Sequence, residues 1–284
     1  MPELPEVEGF ARYFAQHALR QPIVRVRVRD ERILGVRKEA LSRALRGHAF
    51  QRVRRHGKHL FADAGEAWLH LHFGMTGDLE YYGGSSSVIR HPSAEGRRQT
   101  DHGSAMTDDG SRMTDPRFAR VIFDFAKGHL AFIDMRLFGV VDLTPSPEAF
   151  IEEHGLGPDP LEMSFAEFRG ITARRRGAVK ALLMSQDVIA GIGNLYADET
   201  LFQTDIHPRR AVDRLSDAEV RAVYNGMRRI LREVIRVREK DGDWPRRYLS
   251  MHRETGERCP KCGGTIQRTV VMSRTTYFCG KHQK

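Results

Sequence analysis

Met1-Pro2-Glu3-Leu4-Pro5-Glu6-Val7-Glu8 is the stretch around which the rest of the chain is organised. With Met1 removed, which a small second residue permits, Pro2 presents a secondary amine flanked by the carboxylates of Glu3 and Glu6. An α-amine titrates near ~7.7–8.0, so a useful fraction is unprotonated and nucleophilic around neutral pH. Attack on a sugar C1′ would give an iminium ion, and a nearby carboxyl could shuttle protons. The plainer reading of the same residues is a helix start. Pro5 suits a first helical turn, and Glu3 and Glu6 favour the positive end of a helix dipole. Val7, Phe10, Ala11, Phe14 and Ala18 then recur at helical spacing, so an amphipathic helix follows directly on the acidic turn.

Beyond that helix the period shifts from helical to alternating. Val24, Val26 and Val28 alternate with Arg25, Arg27 and Arg29, which predicts a strand with one apolar and one solvated basic face. Two extended stretches, residues 49–55 and 59–62, are joined through His56-Gly57-Lys58, a hairpin with Lys58 at its tip. Residues 67–77 read as a strand with Leu69, Leu71 and Phe73 on one face, ending in Gly74-Met75-Thr76-Gly77. Two glycines around a methionine predict a tight loop that displays Met75, although a lone methionine also suits a core. Residues 83–116 lose all periodicity and are assigned no regular structure, as an insertion. Extended character returns at 118–125 and 129–134, followed by Met135-Arg136-Leu137-Phe138-Gly139 and a strand through Leu143. One helix plus many strands predicts a β-sandwich or barrel-like pair of layers.

A stretch rich in proline and glycine follows, and the pattern beyond it is helical. Ser164 with Glu167 and Ser216 with Glu219 are capping-box pairs, the second opening a long helix with Val220, Val223, Met227, Leu231 and Val234 on one face. Between them, Gly191-Ile192-Gly193-Asn194 leads into a helix start. It reads either as a cradle of N–H groups for a phosphate, with Asn194 adding a donor, or as an ordinary glycine turn. At the C-terminus, Cys259-x-x-Cys262 and Cys279-x-x-His282 form two ligand pairs, the pattern of a closed structural zinc site. The intervening β-branched residues predict a hairpin that carries Arg274.

Bulk properties bound these readings. A chain of 284 residues accommodates two domains, and a net charge of +9 favours a polyanionic partner. Three cysteines clustered near the C-terminus argue for a metal rather than a disulfide framework. No apolar run is long enough to span a bilayer and no apolar signal core begins the chain, so a cytoplasmic location is expected.

Taken in order, the Pro2–Glu8 start, His56-Gly57-Lys58, Gly74-Met75-Thr76-Gly77, the 191–199 run and the C-terminal finger resemble the formamidopyrimidine-DNA glycosylase and endonuclease VIII family. Leu4 places the resemblance nearer the formamidopyrimidine branch. The fold it implies is α+β in two domains. Residues 1–144 form a catalytic helix plus β-sandwich, 145–163 a linker, 164–253 a helix-two-turn-helix DNA-binding domain and 254–284 a zinc finger with a β-hairpin.

The activity implied is that of a bifunctional DNA glycosylase and abasic-site lyase of base excision repair. It would excise oxidised or ring-opened purines, formamidopyrimidine and 8-oxoguanine, and nick the strand by β- and δ-elimination. Pro2 would attack C1′ of a flipped-out nucleotide, Glu3 would act as acid/base at the sugar, Glu6 would support the pocket and Lys58 would contact phosphate. Met75, Arg136 and Phe138 would fill the void left in the stack. Asn194 and Arg274 would grip the DNA backbone, and Cys259, Cys262, Cys279 and His282 would hold one structural Zn2+. The partner implied is damaged double-stranded DNA, bound by a monomer in the nucleoid, without a membrane.

Four features depart from the family pattern. His282 replaces a fourth cysteine, Leu137 stands where a second arginine is common, and residues 83–116 have no family counterpart. Residues 238–253 are compact and charged, without the glycine-rich loop that folds over 8-oxoguanine, so oxidised pyrimidines or other bulky lesions are the alternative substrates. A non-catalytic damaged-DNA-binding protein is the alternative function.

Overall fold

The computed structural model describes residues 1–83, 88–90, 116–240 and 242–284. By packing, the chain divides into two compact units, Met1–His154 and Gly155–Lys284.

The first unit is built around helix α1 (Leu4–Ala18), whose apolar stripe is the one its spacing predicts, with Val7, Phe10, Phe14 and Ala18 fully buried. Phe10 stacks on Phe73 at 4.2 Å and Phe14 meets Phe50 edge-on at 5.0 Å. Burial of each such ring contributes about 1.5–3 kcal/mol.

Strands β1 (Arg25–Val28), β2 (Arg52–His56), β3 (His59–Asp63), β4 (Trp68–His72), β5 (Asp78–Gly83), β6 (Val88–Arg90), β7 (Ala119–Phe125), β8 (Gly128–Ile133) and β9 (Val140–Thr144) form two antiparallel sheets. One runs β1-β7-β8-β5-β6 and the other β2-β3-β4-β9. Their inner faces share one core with α1, in which Leu60, Leu69 and Leu71 of one sheet meet Leu79, Phe123 and Phe132 of the other. This is the predicted helix plus β-sandwich.

Several local expectations are corrected. Residues 88–90, read as part of an irregular insertion, add an edge strand to β5, with Glu80 opposite Arg90, and Gly83 ends β5; residues 84–87 and 91–115 of that insertion lie outside the described residues. Val24 is 55% exposed and precedes the strand. A helix α2 (Lys38–Leu45), which the sequence reading did not mark, buries Leu41 and Leu45. Within the stretch read as linker, α3 (Pro147–Glu153) forms because Ser146 caps the Ala149 N–H at 3.0 Å and Pro147 sits in the first turn.

The second unit is helical with a terminal hairpin. Helices α4 (Phe165–Ala173), α5 (Val179–Met184), α6 (Asn194–Gln203) and α7 (Asp217–Glu239) precede strands β10 (Ile266–Val271) and β11 (Arg274–Cys279). Ser164 with Glu167 and Ser216 with Glu219 make the two predicted capping boxes. Val220, Val223, Met227, Leu231 and Val234 of α7 are buried as expected. Ile266, Cys259 and Cys279 pack with Phe202 of α6 and Leu249, so the hairpin shares a small core with the helices.

Candidate active site and metal centre

Glu3 caps α1, and its own backbone N–H donates to the Glu6 carboxylate at 2.9 Å. Both carboxylates are buried, at 4% and 8% exposure, and Pro2 is buried beside them. The helix-start and active-site readings of this stretch are therefore compatible: the capping box fixes the backbone that carries Pro2 and Glu3.

The β2–β3 hairpin closes in the two residues Gly57 and Lys58, with His56 opposite His59. A φ of +55° at Gly57 suits a residue without a Cβ at the first turn position. Lys58 is at the tip, as predicted, yet only 7% exposed. The hairpin is tied to the start of α1 by Arg55, whose Nε donates to Glu8 at 2.9 Å and whose Nη1 donates to the Gly57 carbonyl at 3.3 Å. Glu8 belongs to the acidic start, and Arg55 stands outside every motif of the sequence. An arginine two residues before the turn glycine was the available signal.

Strand register brings the remaining predicted residues to the same end of this sheet. His59, next to Lys58, pairs with His72, and His72 pairs with Val140. Gly74 and Met75 follow His72, while Arg136 and Phe138 precede Val140. Met75 is 42% and Phe138 51% exposed. The Arg136 guanidinium lies 5.0 Å from the Phe138 ring centroid. Gly74, at φ +53°, sits against the Phe138 carbonyl, where any Cβ would collide.

The two loops are stitched by Asp134, which the sequence reading passed over. Its carboxylate accepts the Thr76 hydroxyl at 2.5 Å, the Gly139 N–H at 2.6 Å and the Arg136 N–H at 3.2 Å. Leu137, in place of an arginine, adopts φ +56° and turns its side chain against the core.

Beside Lys58 the outer face of the sheet carries a cluster of histidines under α3. His59 and His70 share a 2.9 Å hydrogen bond, and His70 packs on Phe150 with ring centroids 4.1 Å apart. Burial first, and the neighbouring histidines second, push His59 down to about 2 and His70 to about 3. His72 is lowered by burial and then by the Lys58 ammonium.

In the second unit the four predicted ligands converge. One ligand atom from each of Cys259, Cys262, Cys279 and His282 lies within 4.8 Å of the others. Cys262 Sγ is 3.5 Å from Cys279 Sγ and 3.4 Å from His282 Nδ1, while Cys259 Sγ is 3.7 Å from that nitrogen. A tetrahedral zinc with bonds of about 2.0–2.3 Å has edges of roughly 3.5–3.8 Å, so the donor set fits the ion. The chain end beyond His282 is held: Gln283 donates to the Ile206 carbonyl at 2.9 Å and accepts the Cys279 N–H at 2.8 Å.

Asn194 is the first residue of α6, and its side chain is engaged within the protein. Its Nδ2 donates to the Thr275 carbonyl at 3.0 Å and its Oδ1 accepts from Lys180 at 2.7 Å. Fully buried Lys180 also reaches Thr276 at 2.6 Å and pairs with Asp198 at 2.6 Å. Arg274 follows the hairpin turn at Met272 and Ser273, whose φ values are +48° and +57°, and is exposed. The α6 start and the hairpin arm thus share one buried polar strut.

Residues 1–141 match the formamidopyrimidine-DNA glycosylase N-terminal domain, residues 156–242 its H2TH domain, and residues 256–281 a zinc finger found in FPG and IleRS. A formamidopyrimidine-DNA glycosylase of Desulfitobacterium hafniense is 31% identical over 296 residues, covering 98% of each chain. One from Geobacter metallireducens is 31% identical over 293 residues, covering all of both. Among solved structures, Lactococcus lactis Fpg in complex with abasic-site DNA aligns over 99% of each chain with a TM-score of 0.80 and 25% identity. A mutant of the same protein with Fapy-dG DNA aligns over the full length of both with a TM-score of 0.79 and 26% identity. Among the described residues no helix is long and apolar enough to cross a membrane.

Proposed function

The chain belongs to the formamidopyrimidine-DNA glycosylase family, and from that membership we propose that it is a bifunctional DNA glycosylase and abasic-site lyase acting on oxidised or ring-opened purines. The observation that carries the reading is the gathering of the capped N-terminal turn, Lys58 and the Met75, Arg136 and Phe138 loops at one end of the first unit.

With Met1 removed, the Pro2 nitrogen attacks C1′ of an extruded nucleotide. The C1′–N bond to the base breaks, and the departing base takes a proton. Glu3 moves a proton at the sugar ring oxygen, so the ring opens as the iminium forms. Loss of a C2′ proton then expels the 3′ phosphate, and a second elimination expels the 5′ phosphate. Glu6 holds the Glu3 backbone, and Lys58 faces a phosphate beside the lesion. Met75, Arg136 and Phe138 fill the gap in the stack, a wedge whose unstacking cost of a few kcal/mol is offset by new contacts. Arg274 and the α6 start hold the DNA backbone, and Cys259, Cys262, Cys279 and His282 hold one zinc ion that keeps the finger folded. The enzyme works as a monomer on chromosomal DNA in the cytoplasm.

A second reading concerns the lesion. The segment after α7 is pinned rather than loose: Tyr248 donates to Glu233 at 2.7 Å, and the Leu249 and Ser250 N–H groups donate to buried Glu199 at 3.2 and 2.9 Å. A segment pinned in this way lacks the freedom of a closing loop selective for 8-oxoguanine, which favours tolerance of oxidised pyrimidines or bulky lesions.

Borohydride trapping tests both readings. Protein shown to begin at Pro2 is reduced with duplexes bearing an abasic site, 8-oxoguanine opposite cytosine, formamidopyrimidine or an oxidised pyrimidine. Cross-links to a base lesion support glycosylase action and name the substrate; Pro2→Gly abolishes normal trapping. Cross-links confined to the abasic duplex leave only a lyase, and none anywhere turns the reading to a damaged-DNA-binding protein.

A further inference from the structure

Helix α7 carries Arg221, Arg228, Arg229, Arg232, Arg236 and Arg238 along 23 residues. Its buried face, centred on Met227, packs on α6. At ~100° per residue, Arg229, Arg232 and Arg236 fall roughly opposite that face. They are exposed, and with Asn225, Arg228 and Glu233 they line one groove.

Glu233 acts on Arg229 through its charge, but its ion pair lies elsewhere. Glu233 is engaged by Arg247 and Tyr248, Asp217 pairs with Arg169, and Glu219 caps Ser216 and faces Arg210. Among the described residues, Arg229, Arg232 and Arg236 make no ion pair. Arg228-Arg232 and Arg232-Arg236 are like charges one turn apart, a destabilising arrangement in an isolated helix. A run of cations repeating every ~6 Å is matched by a linear polyanion.

We propose that the Arg229, Arg232 and Arg236 stripe is a second phosphodiester-backbone site, taking a DNA segment other than the one assigned above to the α6 start and Arg274. The stripe lies across α7 from α6, whereas Asn194 begins α6 and hydrogen-bonds the finger hairpin. An acidic protein partner fits less well, because protein interfaces are anchored by buried apolar or aromatic side chains. None of the exposed large hydrophobic residues of the described chain lies on α7. The site goes beyond lesion chemistry and does not depend on it.

The test uses full-length zinc-loaded protein and two short undamaged duplexes, one carrying a donor dye and one an acceptor. The wild type brings the two together at low salt. Association of the second duplex follows log salt with a slope of about −2.7, from three phosphates at ~0.9 each. R229Q/R232Q/R236Q loses the transfer signal, as does R229E/R232E/R236E. The glutamine variant keeps the wild-type circular dichroism and cleaves a short lesion duplex within twofold. Saturation at one duplex per wild-type chain, or unchanged bridging by the glutamine variant, overturns the proposal. Arginine-dependent binding of polyglutamate without any second duplex overturns it in favour of a protein partner. Because the duplexes are undamaged, failure here is separate from failure of borohydride trapping.

Discussion

The Asp134 carboxylate accepts the Thr76 hydroxyl at 2.5 Å across 58 residues of sequence, locking the loop that displays Met75 to the loop that displays Phe138. Its second oxygen holds the Gly139 N–H at 2.6 Å, and Asp134 is fully buried. Asp134→Asn replaces one acceptor oxygen with a donor, so either the Gly139 N–H loses its acceptor or, in the other flip, the Arg136 N–H loses that oxygen and the Thr76 hydroxyl must accept instead of donate. The expected cost is about 1–3 kcal/mol of stability. If the loops act as a wedge, excision slows far more than binding weakens, by up to ~100-fold for an ångström of misplacement. Single-turnover excision beside equilibrium binding checks this, and equal losses in both would argue against a positioning role.

The paired histidines under α3 make the first unit sensitive to acid. His59 and His70 titrate at about 2 and about 3 in the fold, both below the ordinary 6.5. Between those values and 6.5 the unfolded chain binds more protons. Their contribution is therefore complete above pH ~6.5 and is lost as pH falls below it, by up to ~1.4 kcal/mol per pH unit for each histidine. The neighbours that act on them, His56, His72 and His154, repel the incoming charge. The expected result is a melting temperature for the first unit that drops between pH 7 and pH 5. His70→Phe, set among Phe61 and Phe150, should flatten that limb by about half. A level profile in the wild type would remove this account.

Local pattern and long-range pairing differ in how far they can be read from sequence. Val7, Phe10, Phe14 and Ala18 announce α1 because a helix repeats within one segment, and Cys259, Cys262, Cys279 and His282 announce their cluster because a hairpin returns the second pair to the first. Arg55 with Glu8, or Asp134 with Thr76, is a meeting of ordinary polar residues 47 or 58 positions apart, visible only once strand register is known. The burial of Lys58 has the same origin. Helix α3 hid behind its prolines, and the engagement of Asn194 depends on Lys180 and Thr275, which no local motif links to it.

Removing zinc should unlock the finger in a pH-dependent way. Burial pushes the Cys259 thiol up to about 11, so in the metal-free chain it carries a proton that zinc must displace. Zinc uptake is expected to release protons and to tighten as pH rises. A chelator, or Cys279→Ser, should weaken duplex binding at least about tenfold, a shift of ~1.4 kcal/mol. His282→Cys should retain the ion, and His282→Ala should lose it. Zinc release followed with a colorimetric chelator, alongside duplex titration, reads both effects. Full duplex affinity in metal-free protein would deny the finger a structural part in binding.

Lys180 is the strut between the α6 start and the hairpin arm, and its removal should be costly out of proportion to its size. Its ammonium has three oxygen neighbours within 2.7 Å: Asp198, Asn194 and Thr276. Lys180→Met keeps the volume but leaves buried Asp198 with Arg253 at 2.9 Å as its remaining cation. Burial already raises the Asp198 carboxyl, against the pull of Arg253 and Lys180, so losing the lysine drives it further towards the protonated form. Breaking one side of a buried pair in this way costs on the order of 3–5 kcal/mol. Lys180→Met with Asp198→Asn removes both charges and should recover much of the loss, giving a large coupling energy in a double-mutant cycle. Urea unfolding of the four proteins measures that coupling. If the losses of the two single variants simply add in the double variant, the pair is not coupled and Lys180 acts by packing alone. If the coupling is large and duplex binding falls with it, the buried pair is what holds Arg274 and the α6 start in one frame.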